Sequence, residues 1–129
     1  MAREIAHSEA HRFFIKAEEF LEASRYELGQ QRFNAAGFCA VQAMINANDA
    51  LTIHVLGKRA SRSHREALEL YKEAVHVIDD RSQKRALQEA LEVRNTVGYM
   101  ATSISKRKAS ALIPKAATFV SWVAGHLTR

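Results

Sequence analysis

Residues 33–57 read FNAAGFCAVQAMINANDALTIHVLG. Ala36, Phe38, Ala40, Val41, Met44, Ile45, Leu51 and Val55 place apolar groups on most sides of a helix, and Gly57 stands where it would stop. A helix apolar nearly all round belongs at the centre of a bundle or at an oligomer interface. This stretch therefore predicts an all-α protein built around one central helix.

Helical signals continue on both sides. A first helix is predicted from about Ser8 to Leu28, with Ala10, Phe13, Phe14, Ala17, Phe20, Leu21 and Ser24 at helical spacing and Gly29 as its stop. After the central helix, Ser63 and Glu66 form a capping box that opens a third helix through Leu68, Tyr71, Ala74, Val75 and Ile78. Asp80 with Gln83 predicts a similar start for a fourth, running to about Lys106. Pro114 in a first-turn position predicts a shorter fifth helix from about Ile113, packing Ala117, Val120, Val123, Ala124 and Leu127. No strand-period alternation or internal repeat competes. At 129 residues the expectation is a single domain, 1–129: an up-down antiparallel bundle of four long helices plus a shorter C-terminal helix.

Charges flank every short apolar run of the N-terminus, so neither a signal peptide nor a membrane span is expected, and the expected location is the cytoplasm. The single cysteine, Cys39, reads as a small buried hydrophobe, and the six phenylalanines as core. His7 and His11 have metal-ligand spacing but no third ligand, and read as helix-start histidines. His54 and His76 read as helix-end histidines, where a protonated ring meets the carbonyl dipoles. Trp122 lies off its helix's stripe and reads as an interface residue. With no glycine-rich phosphate loop or HExxH element, no cofactor or metal is expected.

The net charge of +5 is uneven: residues 1–57 hold five Lys/Arg against seven Asp/Glu, residues 58–129 fourteen against seven. Up-down topology would bring the loop residues Lys58, Arg59, Arg62, His64 and Arg65 to the same pole as Lys106, Arg107, Lys108 and Lys115. Such a basic pole suits RNA or nucleotide. The competing reading is solvated loop charges without a ligand.

The fourth helix contains an anomaly. Its apolar stripe runs Leu87, Ala90, Leu91, Arg94, Val97, Gly98, Ala101, Ile104, so Arg94 stands where leucine is expected. Burying an unpaired guanidinium costs several kcal/mol, so Arg94 must be paired or face a wet cleft. Asn95 and Tyr99 lie nearby on adjacent turns. On the central helix Asn48 falls on the apolar stripe with Asp49 beside it, an amide and a carboxylate suited to hold Arg94. The alternative is a buried polar latch fixing helix register.

The stretch RNTVGY, the alanine-rich central helix and SRSHREALELY together resemble the HEPN (higher eukaryotes and prokaryotes nucleotide-binding) superfamily over about residues 10–128. The resemblance implies a helical domain that pairs as a homodimer, with an arginine, a polar neighbour and a histidine cutting RNA without metal in a cleft between two copies. Carried over, Arg94 matches the arginine and Asn95 the polar residue, while Tyr99 stands where the histidine would be. With an ordinary pKa near 10, a tyrosine is a poor general base at pH 7, although it can orient a phosphate. Two functions follow as expectations. One is RNA or nucleotide binding, with toxin-type endoribonuclease activity weak or lost and a nucleotidyltransferase-like antitoxin as partner. The other is a non-catalytic interaction or nucleotide-sensing module acting through protein partners.

Overall fold

The computed structural model describes residues 2–60, 63–99 and 102–128, with side chains left out at 97–99. It is an all-α bundle of five helices: α1 (Ala10–Gly29), α2 (Phe33–Leu56), α3 (His64–Ile78), α4 (Lys84–Tyr99) and α5 (Lys106–Leu127). A single 3-10 turn, His7–Glu9, precedes α1, and two short strands unforeseen in the sequence, β1 (Arg3–Glu4) and β2 (Lys58–Arg59), pair antiparallel. As its composition requires, α2 lies at the centre and touches all four other helices. Its Ala36, Ala40, Val41, Met44, Ala47 and Leu51 are buried together with Tyr71 of α3, Leu87 and Leu91 of α4 and Phe119 of α5. No helix among the described residues is long and apolar enough to cross a membrane.

The helix ends show which local signals decided the fold. Gly57 stops α2 in the left-handed region, φ 67°, where a Cβ would also press on the His7 ring at 2.8 Å. The Ser63 hydroxyl caps α3 by accepting from the Glu66 amide at 3.0 Å, as its spacing predicts. At the end of α1 the left-handed residue is Gln31, φ 61°, two positions beyond the glycine expected to fill that role. The longest departure is α5. Ser105 caps it by accepting from the Lys108 amide at 3.1 Å, so the helix starts at Lys106, is 22 residues long, and carries Pro114 in its interior. The fifth helix is not the short one, and α4 ends at Tyr99 rather than at Lys106.

The strict up-down order also breaks. His7, ahead of α1, bonds the carbonyl of His54 near the end of α2, so α1 and α2 are antiparallel. The amide of Ile104, just ahead of α5, donates to Asn34 Oδ1 at 2.6 Å, and the Ile104 side chain fills the space beside Gly37. The N-termini of α2 and α5 therefore lie together. Between α2 and α3 the chain doubles back through β2, so that Leu56 shares a groove with Tyr71, Val75 and His76 well inside α3. The 24 residues of α2 span about 36 Å. Lys58 follows one end of it, while Lys106, Arg107 and Lys108 stand close to the other. The single basic pole expected from an up-down bundle is not formed.

Trp122 is not left for an interface. Its ring packs 5.6 Å from Phe119 and 6.1 Å from Tyr71, and its Nε1 donates to Asp80 Oδ2 at 2.7 Å. The same oxygen meets His126 Nε2 at 3.1 Å, and Asp80 Oδ1 accepts from the Ser82 amide. Asp80 thus ties the α3–α4 turn to the end of α5, in place of the expected box with Gln83. The indole hydrogen bond, above all, holds the Asp80 carboxyl well below the usual carboxylate range. A depressed native value stabilises above the unfolded pKa and is lost as pH falls through it. Asp80→Ala is expected to cost about 2 kcal/mol near neutral pH, with the loss fading in strong acid. Thermal melts across pH test this, and a pH-independent loss would contradict it.

Candidate functional site

Asp49 is the chemical centre of the central helix. Helical spacing from Ile45 and Thr52 turns it inward, where it is 5% exposed. Its partner comes from β2: the doubled-back chain carries Arg59 two to three turns along α2, and Arg59 Nε donates to Asp49 Oδ2 at 3.1 Å. The Arg59 guanidinium also lies 4.5 Å from the centre of the Phe13 ring, which Lys16 approaches to 5.5 Å. Arg94 and Lys16 add their charges near the carboxylate without bonding it. Burial pushes the Asp49 carboxyl up to about 6 despite the opposing pull of Arg59, Arg94 and Lys16 in that order. Three cations therefore stand around one buried carboxylate, and the cluster keeps an excess of positive charge.

Arg94 is half-buried and continues the buried run Leu87, Ala90 and Leu91 on α4. Its ion-pair partner was expected to be Asp49 or Asn48, but the structure gives Asp49 to Arg59. Asn48 is 2% exposed, and its Oδ1 has no hydrogen-bond partner among the described residues. Arg94 consequently forms no ion pair among the described residues, while remaining in the field of Asp49.

Asn95, next to Arg94, faces the other neighbour. Its Nδ2 lies 3.2 Å from Nδ1 of His64, the first residue of α3. The capped start of α3 and the last turns of α4 thus bring together an amide and an imidazole, with Arg94 the residue before the amide. Tyr99 closes α4, but its side chain lies outside the described residues, as does all of Arg62. Arg65 is exposed and paired with Glu69 one turn on, a solvated pair. Lys58 is half-buried in β2. Lys106 and Arg107 are exposed at the start of α5, whereas Lys108 and Lys115 both bond Glu89, at 3.3 and 2.8 Å.

Phe13 and Lys16 do not stand out as site residues in the sequence. Their one signal is the cation three residues after an aromatic on the first helix, a spacing that puts both on one face.

Of the expected residues, the geometry gathers Asp49, Arg59 and Arg94 in one charged cluster and pairs Asn95, the residue after Arg94, with His64, while Lys108 is held by Glu89. A protein-family model described as the HEPN domain matches residues 10–126. Comparison with curated proteins finds no match.

Proposed function

The chain belongs to the HEPN domain family, and from that premise we propose that it binds the phosphate of RNA, or of a nucleotide, where Arg94, Arg59 and Lys16 surround Asp49. One observation carries the reading: Asp49 is already bonded by Arg59, so Arg94 stands in its field half-exposed and without an ion pair among the described residues. A guanidinium in the field of a carboxylate keeps its orientation, and its planar fork can still accept a phosphate. Asn95 and His64 extend the same surface with donors for a neighbouring phosphate or sugar.

A second copy of the chain is the expected partner. Phe38, Gln42 and Ile45 lead along one face of α2 toward Asp49, and Phe38 is 37% exposed. A homodimer covering this face would turn the patch into a two-sided cleft. Light scattering at micromolar concentration should give twice the 14.5 kDa of the chain. The exposed Phe38, Tyr26 and Val77 also favour the second reading, a module that acts through protein partners.

The two readings separate on Arg94→Ala. Since Asp49 retains Arg59, the variant should melt within a few degrees of the parent. Its affinity for a labelled single-stranded RNA should fall about tenfold or more, the worth of one charge-assisted contact. The parent's affinity should fall steeply with salt, and the variant's less so. Unchanged RNA affinity in Arg94→Ala would exclude phosphate binding at this surface and leave the protein-partner reading.

A further inference from the structure

The cations around Asp49 are not equivalent. Arg59 gives the carboxylate one edge only: its Nε donates to Asp49 Oδ2 at 3.1 Å, and its two Nη groups make no hydrogen bond among the described residues. The guanidinium rests 4.5 Å from the centre of the Phe13 ring, and the side chain is 33% exposed. Asp49 itself is buried. Solvent, and any anion in it, reaches Arg59 while the carboxylate stays enclosed. A bound phosphate and Asp49 then compete for the same cations.

We propose that anion binding at this cluster is gated by a proton: Asp49 is an internal counter-anion that holds Arg59 against the ligand, and phosphate binds together with a proton on Asp49. The inference rests on the phosphate-binding reading of the cluster. The coupling follows from charge. Arg59 from β2, Arg94 from α4 and Lys16 from α1 act on the carboxylate, all with one sign. Ionised, Asp49 offsets one of the three. Protonated, it offsets none, and its pull on Arg59 Nε weakens, so the phosphate meets a more positive cluster and a freer guanidinium.

Reciprocity requires the converse. A phosphate that engages these cations leaves the ionised form of Asp49 less stabilised in its buried place, so the carboxyl takes up a proton as the ligand binds. A carboxyl of ordinary pKa would stay ionised near neutral pH and couple to nothing there. Burial has already pushed this one up to about 6, and a bound anion raises it further. The sign is then fixed. Below about pH 6 Asp49 is mostly protonated with or without ligand, and affinity is greatest. Affinity falls as pH rises from there to the value of the complex, and levels off above it.

The elements around Asp49 also carry imidazoles: His54 on α2, His7, which bonds the His54 carbonyl, and His64 beside Asn95. An imidazolium favours an anion in mild acid too. The decisive variant therefore changes Asp49 and keeps every histidine.

The experiment uses the full chain and a labelled oligouridylate, whose charge is constant between pH 5.5 and 8. The parent should bind it about fivefold or more tightly at pH 5.5 than at pH 8. Calorimetry near pH 6.5, in buffers of different ionisation heat, should record proton uptake on binding. Asp49→Asn keeps the shape and an acceptor for Arg59 but is neutral at every pH. It should bind more tightly than the parent at pH 8 and lose most of the pH dependence and of the proton uptake. Carbon-detected NMR of the Asp49 carboxyl in the parent needs no variant, and its titration midpoint should rise when the oligouridylate binds. A midpoint unmoved by RNA that binds by way of Arg94, or a folded Asp49→Asn variant with the parent's pH dependence, overturns the gating and leaves the binding reading standing. A parent that binds no RNA overturns both.

Discussion

Arg59→Met is expected to lower the melting temperature by about 10 °C or more at pH 8, and by far less at pH 5. The reason is the carboxylate it leaves behind. Removing one partner of a buried ion pair costs about 3–5 kcal/mol, because the remaining charge is neither hydrated nor neutralised. For a chain of this length each kcal/mol moves the melting temperature by about 3–5 °C. The pH dependence follows from Asp49, whose native value near 6 is raised from an ordinary 3.8. A raised native value means that the folded state holds the proton more tightly than the unfolded state. Asp49 therefore imposes no penalty below about pH 4, a growing one up to about 6, and a constant one of about 3 kcal/mol above. Without Arg59 the native value climbs further, and the penalty keeps growing above pH 6. At pH 5 the carboxyl of the variant is protonated, and only the packing of the guanidinium on Phe13 is lost. Melts of the parent, Arg59→Met and the double variant Asp49→Asn with Arg59→Met at the two pH values provide the check. The double variant should recover most of the pH 8 loss. Equal losses at both pH values, or no recovery, would refute the account.

Arg59 cannot be named as the partner of Asp49 from the sequence, and the reason is local. Helical period alone placed Asp49 and Asn48 on the inner face of α2, and both are buried there. The same period placed Arg94 after Leu87, Ala90 and Leu91, the buried run it does follow. The identity of Asp49's partner depended on where the chain goes after Gly57. That path is set by two short strands, Arg3 opposite Arg59 and Glu4 opposite Lys58. Two-residue strands have no readable period, so the nearer-looking arginine was paired with Asp49. The same blindness to long-range partners explains Trp122, whose position off the stripe is accounted for by a carboxylate 42 residues away. The start of α5 was missed for a different reason. Ser105 caps it with the hydroxyl alone, and no glutamate or glutamine follows at the capping-box spacing, whereas Pro114 supplied a stronger but misleading first-turn signal. Of the candidate site, then, the placement of Arg94, Asn95 and Asp49 on their helices was legible from period, while the meeting of Asn95 with His64 required the fold.

Leu91→Ala should lower stability by about 2–5 kcal/mol, or about 10 °C in melting temperature, well beyond the effect of Arg94→Ala three residues later. Leu91 is 1% exposed and belongs to the central core with Leu87 and Ala90. Its loss opens a cavity beneath the turn that carries Arg94 and Asn95. α4 packs chiefly on α2, with fewer contacts to α3 and α5, so little else can hold that turn in place. The two variants therefore separate support from chemistry. Leu91→Ala should lose stability first, and RNA affinity only as the last turns of α4 loosen. Arg94→Ala should lose affinity on an intact fold. Raising salt should erase the difference in affinity between Arg94→Ala and the parent, since on the proposed reading that difference is one phosphate contact. It should leave the deficit of Leu91→Ala in melting temperature unchanged, because a cavity carries no charge. A stability loss in Leu91→Ala no larger than that of Arg94→Ala would mean that this turn is not anchored by the core, and the positioning of Arg94 and Asn95 would need another support.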